Sequence, residues 1–462
     1  MQWSSFKEEL MSEVREGEEV YVKVLYDEDP LEEELPSLNI SFSLIRQKML
    51  KYETEFFNYS TENNDEIMSH YKPYIYEFNF RKITREIEEV IKNNFTQNSW
   101  VKMKIYEDSF EESYLNDGDQ IIFSGETIFS ASPIVRKSCR LVFSPSTNSD
   151  PDVVDINKNF DKTRLDNKLR SVAFDVKTEN RIKNLMPKKV DNGMVTIFNI
   201  GQGNYVELKV GGKVFLFDIG MTDNAIDYTS NRIKWNYEKI IPYHRPDAII
   251  LSHWDIDHIL GVGFLDARHI YSTSLWLAPD LTQLRTVTQS AYRLSFYLAH
   301  KSGIFLVNNY NSCLYQSNDK RFNIYQGKGT STKGGGNKAN NIGLLIEITD
   351  VKFKTSFDTY TDRNDVTGNS MLLSGDCDYV KMPDSIQMKL KDYDFLMVPH
   401  HGADTTLPTF CSHVHRKTKY AIVSYGKNRH NHPGKKHIAE LEKMFKVIET
   451  KGMSRYTVTF VK

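Results

Sequence analysis

One short segment concentrates side chains that bind metal ions. The segment SHWDIDH (252–258) follows an apolar run and carries two histidines and two aspartates within six residues. Imidazole and carboxylate groups placed this close together are stabilised when a cation lies among them. This combination of ligands suits Zn²⁺, Mn²⁺ or Fe. Alternation predicts His253, Asp255 and Asp257 on one side of an extended turn, and His258 begins the next element. We expect a metal site here, against the alternative of an acidic surface loop with incidental histidines.

Three later segments carry further candidates. Asp376 lies in LLSGD, the pair His400 and His401 lies in VPHHG, and His432 lies in NHP. Each follows an apolar run or lies in a loop just beyond one. A single residue of this kind is more often a turn aspartate or a hydrogen-bonded histidine. Twelve of the thirteen histidines come after residue 240, so we expect the chemistry in that part of the chain.

Short strands that end in polar loops must position these residues. Apolar or alternating runs predict strands at 194–200, 205–210, 214–220, 247–253, 274–280, 342–348, 370–376, 394–401 and 420–426. Five of them carry a histidine or an aspartate at or near the carboxyl end. Strands that deliver ionisable residues to one rim are typical of sheet-based enzymes. Asp218, at the end of one interior strand, is predicted to support the site, and the glycine-rich segment 327–341 is predicted to be a basic flap beside it.

Length and charge predict more than one domain. The 462 residues exceed the roughly 100–200 of a typical domain, and the 40% of hydrophobic residues can form a sizeable core. Residues 1–150 hold 16 basic against 29 acidic residues, whereas residues 191–462 hold 33 against 26. Strands at 18–29, 99–108 and 117–129, with a helix ending near 95, indicate an acidic α+β domain at 1–150. We predict a linker at 151–190 and a second domain at 191–462.

The compartment is predicted from what the sequence lacks. No apolar run is long enough to cross a membrane, and the acidic start does not resemble a signal peptide. The four cysteines are far apart and show no metal-type or redox-type pairing, which suits a reducing compartment. We expect a soluble, cytoplasmic protein without a membrane partner.

The order of these segments resembles the metallo-β-lactamase superfamily, and within it the β-lactamase-like domain of the ComEC-type DNA-uptake competence proteins. The matching stretches are FNIGQGNYVELKVGGKVFLFDIG, LSHWDIDHILG, NNIGLLIEI, LLSGD, VPHHG and SYGKNRHNHP, and the resemblance extends over about residues 194–440. The resemblance implies an α/β fold, an αββα sandwich beside the separate N-terminal α+β domain. It implies a metal-dependent hydrolase, with phosphodiesters favoured over β-lactams as substrates.

The resemblance also implies a site with two divalent metal ions, Zn or Mn. The implied ligands are His253 and Asp255 for one ion, Asp257, His258 and His401 for the other, and Asp376 between them. Aspartate at 255, where the superfamily more often has histidine, is the pattern of the ComEC-like branch and shifts the expectation toward Mn²⁺. Two such ions activate water for in-line displacement at phosphorus, which points to a phosphodiesterase or nuclease.

His400 and His432 remain as candidates to protonate the leaving oxygen or to hold the phosphate. Because alternate residues at a strand end point in opposite directions, His401 is preferred over His400 as the metal ligand. For His432 the alternative is a loop histidine that caps a turn before Pro433. Asp257 is predicted to be both ligand and catalytic residue.

Three departures from the family pattern keep other functions open. Asn204, Leu260 and Ala403 stand where the relatives have Asp, Gly and Ser. The alternatives are a metal-bound but weakly active sensor whose N-terminal domain binds an unknown protein partner, and a hydrolase of small esters or thioesters. The basic stretch 427–430, with Lys435 and Lys436, either attracts a nucleic-acid backbone or is an ordinary solvated loop.

Overall fold

The structure is a computed structural model. It describes residues 5–12, 15–28, 38–58, 67, 71, 73–80, 84–107, 113–116, 120–130, 134–144, 150–173, 176–200, 203–221, 245–263, 274–301, 303–329, 338–356, 367–404, 407–408, 419–425, 432–450 and 455–461. The chain forms two compact units. The first comprises Met1–Ala173 with Arg285–Lys301, and the second comprises Phe174–Leu284 with Ser302–Lys462.

The first unit is built on an antiparallel sheet that closes on itself. Its strands are β1 (Glu18–Glu28), β2 (Leu38–Arg46), β3 (Ile75–Asn79), β4 (Trp100–Glu107), β5 (Ser113–Asn116), β6 (Ile121–Ser130) and β7 (Ile134–Phe143). They pair in the order β3-β2-β1-β4-β7-β6-β5, and β3 also pairs with β6, so six strands close into a barrel. Phe42 packs against Phe78 and Phe123 in its core. The strands predicted for this region are confirmed.

Helices accompany this barrel, and they occupy most of the predicted linker. The helices of the first unit are Phe6–Met11, Leu50–Phe57, Arg85–Asn94, Pro151–Asn159, Lys162–Ala173 and Gln289–Lys301. Val176–Leu185 is helical as well and begins the second unit. The segment 151–190, predicted as a linker, is therefore mostly helical, and the boundary between the two units falls within it. The Asp150 side chain accepts from the Asp152 amide, Pro151 starts the helix, and Val153 and Ile156 are buried on one face.

The second unit contains the remaining strands, and nine of them, β8–β12 and β16–β19, overlap the predicted ranges. They are β8 (Asn192–Phe198), β9 (Val206–Val210), β10 (Lys213–Phe217), β11 (Ala248–Ile250), β12 (Leu275–Pro279), β13 (Ile304–Val307), β14 (Ser312–Gln316), β15 (Phe322–Gln326), β16 (Leu344–Ser356), β17 (Thr367–Leu373), β18 (Phe395–Met397), β19 (Tyr420–Val423), β20 (Lys446–Glu449) and β21 (Arg455–Val461). Further helices are Ile256–Ile259, Asp384–Gln387 and Lys435–Glu442.

These strands form one hydrogen-bonded path that folds over a shared core. The path runs β13-β12-β11-β10-β9-β8-β21-β16-β17-β18-β19-β20, and β15 pairs with β16 and β14. Phe215 of β10 and Phe322 of β15 lie far apart on this path, yet their ring centroids are 6.1 Å apart. The two halves of the path therefore face each other, and one apolar cluster contains residues of both. The predicted mixed α/β architecture is confirmed.

Parallel pairing brings several strand ends to the same edge. β10 pairs in parallel with β11, and β17, β18 and β19 pair in parallel with one another. The carboxyl ends of parallel strands lie at one edge of a sheet, and the polar residues that follow them lie together. Among the helices that the structure describes, none has the length and apolar character needed to span a membrane.

Candidate metal centre

Four side chains from three strand-end segments meet in a buried group, which we call the quartet: Asp257, His258, Asp376 and His401. One ligand atom from each lies within 4.8 Å of all the others. Nε2 of His258 is 3.3 Å from Oδ2 of Asp376, and Nε2 of His401 is 3.4 Å from Oδ2 of Asp257. Two imidazole nitrogens therefore face two carboxylates in a space of metal-site dimensions.

Asp218 fixes the orientation of His258. Its Oδ2 accepts from Nδ1 of His258 at 2.8 Å and from Oγ of Ser252 at 2.7 Å, and its Oδ1 accepts from the Ser252 amide. Because the Ser252 hydroxyl proton goes to Asp218, its oxygen accepts from Nδ1 of His253 at 2.9 Å. Both histidines therefore carry their proton on Nδ1 and direct an Nε2 lone pair away from Asp218.

A main-chain carbonyl fixes the tautomer of the third histidine, His401. Nδ1 of His401 donates to the carbonyl oxygen of Ser424, just beyond β19, at 2.7 Å. Its Nε2 is therefore the lone-pair nitrogen, and it lies 3.7 Å from Oδ2 of Asp376. A hydrogen-bonded Nδ1 with a free Nε2 is the arrangement that metal-binding histidines adopt.

The charges of the quartet influence one another strongly. Burial raises the pKa of the Asp257 and Asp376 carboxyls, but the neighbouring His258 and His401 imidazoles outweigh it and hold both pKa values below the ordinary range. Burial lowers the pKa of His258, and the carboxylates of Asp376, Asp218 and Asp257 reverse this and raise it well above its ordinary value. The carboxylates therefore strongly favour a positive charge in the quartet.

The residues present fit a metal ion. Nε2 of His253, His258 and His401 and Oδ1 of Asp376 are buried without a hydrogen-bond partner in the described part of the chain. Leaving such groups unpaired in the interior costs about 1–3 kcal/mol each, and more when charged. A divalent cation in the quartet would satisfy Nε2 of His258, Nε2 of His401 and Oδ1 of Asp376 together, and two imidazoles with two carboxylates are a donor set that Zn²⁺ or Mn²⁺ accepts.

His253 and Asp255, the other two predicted ligands, form a separate pair beside the quartet. Nε2 of His253 is 3.4 Å from Oδ2 of Asp255, whose side chain is about half exposed. The His253 ring centroid lies 4.0 Å from that of His258. The predicted alternation of His253, Asp255 and Asp257 on one side is wrong, because a helical turn begins at Ile256 and carries Asp257 to the quartet.

His400 lies at the rim of the quartet. Its Nδ1 is 3.7 Å from Oδ2 of Asp376, and its Nε2 is 2.9 Å from Oδ1 of Asp378. Burial lowers the pKa of His400, but Asp378 and Asp376 outweigh this and raise it to about 8. The Asn340 amide, at the end of the glycine-rich segment, lies 3.4 Å from the ring nitrogens of His400.

His432 lies in a neighbouring loop and is not in the quartet. The amide of Gly434 donates to the carbonyl of Gly402 at 2.8 Å, so the loop lies against the segment that carries His401. The His432 side chain is half-buried. The residues His413, His415, His430 and Cys411, the stretch 427–430 and residues 330–337 of the predicted flap lie outside the described residues.

Close backbone packing holds the metal-binding segments in place. The Met221 amide donates to the carbonyl of Asp257 at 3.0 Å, and the Ile219 amide donates to that of His258 at 3.0 Å. A Cβ added to Gly220 would lie 2.2 Å from the Asp257 carbonyl oxygen. Only glycine allows this approach of the strand-end loop to the ligand-bearing turn.

Three residues in or beside the quartet have an unusual backbone conformation. Asp218, His400 and His401 all have positive φ, of 62°, 51° and 52°. Non-glycine residues rarely adopt this region, and when they do they often belong to functional sites.

Several residues that support the site did not stand out from the sequence. Ser252 and the Ser424 carbonyl orient histidines, and Asp378 contacts His400. The only available signal for Asp378 was a second carboxylate two positions after Asp376. His437, which the sequence does not distinguish from surface histidines, is buried: its Nδ1 donates to the Ala403 carbonyl at 2.6 Å, and Nε2 lies 2.9 Å from the Tyr379 hydroxyl.

A comparison with protein families agrees with this geometry. The model of the metallo-beta-lactamase superfamily matches residues 199–274. The matched region includes Asp218, the strand β11 and the turn with His253, Asp255, Asp257 and His258, whereas Asp376 and His401 lie beyond it. In sequence, no curated protein matches the chain. The family match and the quartet together indicate a metal-dependent hydrolase.

Proposed function

We propose that the chain is a metal-dependent phosphodiesterase or nuclease. The observation that carries this proposal is the quartet, in which Nε2 of His258, Nε2 of His401 and Oδ1 of Asp376 are buried without a hydrogen-bond partner among the described residues and the Asp257 carboxylate lies beside them. Groups arranged in this way without a cation leave the interior electrostatically unfavourable. These residues follow the ends of β11, β17 and β18, and Asp257 is the member of the quartet that is partly exposed to solvent.

The proposal includes two divalent ions, Zn or Mn. Asp257, His258 and His401 would hold one ion, His253 and Asp255 would hold the second, and Asp376 would serve both. The separation of the His253–Asp255 pair from the quartet is consistent with two neighbouring sites. When bound, a pair of such ions supplies Lewis acidity and lowers the pKa of water, and both favour displacement at phosphorus.

Other side chains of the protein orient the metal ligands and act on the substrate. Asp218 fixes the tautomer of His258 directly and that of His253 through Ser252. His400 is half-buried at the rim and pairs with Asp378, so it can donate a hydrogen bond to a phosphate oxygen or a proton to the leaving oxygen. His432, one loop away, is the second candidate for this role. Both donate most effectively in the protonated form, which the raised pKa of His400 favours near neutral pH.

A phosphodiester is favoured over a carboxylic ester because of the ligand at position 255. A carboxylate in place of an imidazole makes the donor set harder and better suited to Mn²⁺, an ion common in phosphoryl chemistry. The proposed likeness to ComEC-type proteins points to nucleic acid as substrate. Lys435 and Lys436 are exposed at the start of the helix Lys435–Glu442, where they can attract a phosphate backbone.

Hydrolysis of bis(p-nitrophenyl)phosphate and of DNA tests this function. We expect the chelator-treated protein to be inactive and added Mn²⁺ or Zn²⁺ to restore turnover. Asp257→Ala should abolish turnover, and the matched control Asp392→Ala, which changes an exposed aspartate of the same unit, should retain it. Equal cleavage by Asp257→Ala and wild type would falsify the assignment.

The same experiment separates the alternatives. Tightly bound metal without hydrolysis of any phosphodiester would support a sensor. Competition by carboxylic esters or thioesters, but not by phosphodiesters, would support a small-ester hydrolase. Binding of nucleic acid should weaken steeply as salt is raised, and a salt-independent affinity would contradict nucleic acid as the substrate.

We also propose a cytoplasmic location. Among the residues that the structure describes, Cys139, Cys313 and Cys377 form no disulfide, which suits a reducing compartment. That the first unit binds a protein partner remains a proposal as well, supported by its acidic composition and its separate core.

A further inference from the structure

The outer face of the barrel in the first unit contains a cavity of about 330 Å³. It lies over the neighbouring strands β4, β7 and β6. In the register of these strands Lys104 is opposite Val142, and Val142 is opposite Ile122; one step further along, Tyr106 is opposite Arg140. The apolar residues Met103, Ile105 and Leu141 alternate with them and are buried. This volume is within the range of small-molecule sites.

The cavity is basic, although the first 150 residues are acidic. Lys102, Lys104 and Arg140 line it, and Glu19 is the acidic residue of its lining. Lys102 is already paired, with Glu19 at 2.8 Å and with Asp150 at 2.9 Å. In the described residues Lys104 and Arg140 have no carboxylate within ion-pair distance. Two positive charges therefore remain available to a ligand.

Arg140 is held in a position to bind. Its guanidinium carbon lies 5.2 Å from the centroid of the Tyr106 ring, an arrangement that fixes the plane of the guanidinium. Its Nε is buried, and no acceptor for it exists among the residues that the structure describes. A buried donor without an acceptor costs free energy, and a ligand oxygen would remove that cost. Planar guanidinium groups match the oxygens of phosphate with paired hydrogen bonds.

We propose that this cavity binds a small organic phosphate. Arg140 and Lys104 would bind the phosphate oxygens, and the half-buried Ile122, Val142 and Tyr106 would contact the organic part. The apolar lining beside two unpaired cations favours a phosphate ester of nucleotide size over free phosphate. This proposal concerns the first unit alone and does not depend on the function proposed for the metal centre.

Isothermal titration calorimetry on the full-length chain tests the proposal. The protein is treated with chelator so that metal in the second unit does not bind phosphate, and AMP and inorganic phosphate are titrated separately. We expect AMP to bind more tightly than phosphate. Arg140→Ala and Lys104→Ala should each weaken AMP binding at least tenfold.

Lys158→Ala is the matched control. It removes an exposed lysine of the same unit that does not line the cavity, so AMP affinity should stay within twofold of wild type. Lys104 is exposed, and its replacement leaves the core intact, so a loss of binding in Lys104→Ala reports on the site and not on folding. Absence of AMP binding to wild type, or equal affinity in wild type and Lys104→Ala, would overturn the proposal.

Discussion

Oδ2 of Asp218 and Nδ1 of His258 are 2.8 Å apart, and neither side chain is exposed to solvent. The carboxylate contacts the quartet only through Nδ1 of His258 and is not a metal-ligand candidate itself, since its oxygens also accept from the amide and hydroxyl of Ser252. Its effect is to set which nitrogen of His258 is protonated. Asp218 is thus a positioning residue of the metal centre.

Asp218→Asn should weaken metal binding although it changes no ligand. The amide group would present a donor where Asp218 now only accepts, so either His258 or Ser252 loses its partner. We expect a loss of about 10–100-fold in affinity for Zn²⁺ or Mn²⁺. Titration against a competing chelator measures it, with Asp392→Asn as the control. An unchanged affinity would contradict the role assigned to Asp218.

Replacement of His400 should separate catalysis from metal binding. His400 contacts Asp376 and Asp378 from the rim, and it is not a member of the quartet. If the proposed hydrolysis occurs, His400→Ala should lower kcat about 10²–10⁴-fold while metal content stays at the wild-type level. Elemental analysis and turnover of the same sample check both. Loss of metal in parallel with activity would make His400 a ligand instead.

Gly220→Ala should damage the centre through the backbone. The added methyl group would lie 2.2 Å from the Asp257 carbonyl oxygen and 2.6 Å from main-chain atoms of Asn204. The turn that carries Asp257 and His258 must then move, so metal affinity and thermal stability should both fall. In Gly212→Asn the new side chain meets open space and asparagine tolerates the positive φ. This control should retain both properties.

The stability of the first unit should fall as pH rises from about 4.5 to 7. Burial raises the pKa of Glu77 to about 7, despite hydrogen bonds from Ser290 and Ser43 that favour the charged form. The folded state therefore holds a proton in this range that the unfolded state has released, and each further unit of pH costs about 1.4 kcal/mol at most.

Glu77→Gln removes this titration, so the free energy of unfolding of the variant should depend less on pH than that of wild type between about pH 4.5 and 7. Urea unfolding at a series of pH values measures the difference. Glu86→Gln, at an exposed position of the same unit, should follow the wild-type dependence. Parallel curves for Glu77→Gln and wild type would show that the Glu77 carboxyl is not protonated in the fold.

The local features of the second unit could be predicted from sequence. Alternating and apolar runs identified nine of its fourteen described strands, because burial on one or both faces imposes those patterns. The cluster of His253, Asp255, Asp257 and His258 identified the ligand-bearing turn because its residues lie within six positions of one another in the sequence. Asp376 and His401 could be included from their places after apolar runs.

The conformation of the VPHHG segment could not be predicted. His401 was preferred as ligand from strand alternation, but β18 ends at Met397, and both His400 and His401 have positive φ. Alternation does not apply to such a turn. The structure places His401 in the quartet because its Nδ1 binds the Ser424 carbonyl, a contact that no local pattern shows.

Contacts between distant residues were also beyond sequence reasoning. The closure of the barrel depends on pairing between β3 and β6, and the helix Gln289–Lys301 belongs to the first unit through residues such as Arg293. Nε of Arg293 donates to Oε1 of Glu53 at 3.0 Å, across 240 residues of sequence. A single sequence contains no signal that selects one such partner from many.

The place of Gln289–Lys301 in the chain has a consequence for biosynthesis. Arg293, fully buried with Glu53, comes from a segment that the ribosome makes only after the strands β8–β12. Until residue 293 has been synthesised, Glu53 lacks its Arg293 partner, and the core of the first unit is incomplete. The first unit therefore completes its fold only after the strands β8–β12 of the second unit have been synthesised. A nascent chain that stops before residue 289 leaves both units incomplete.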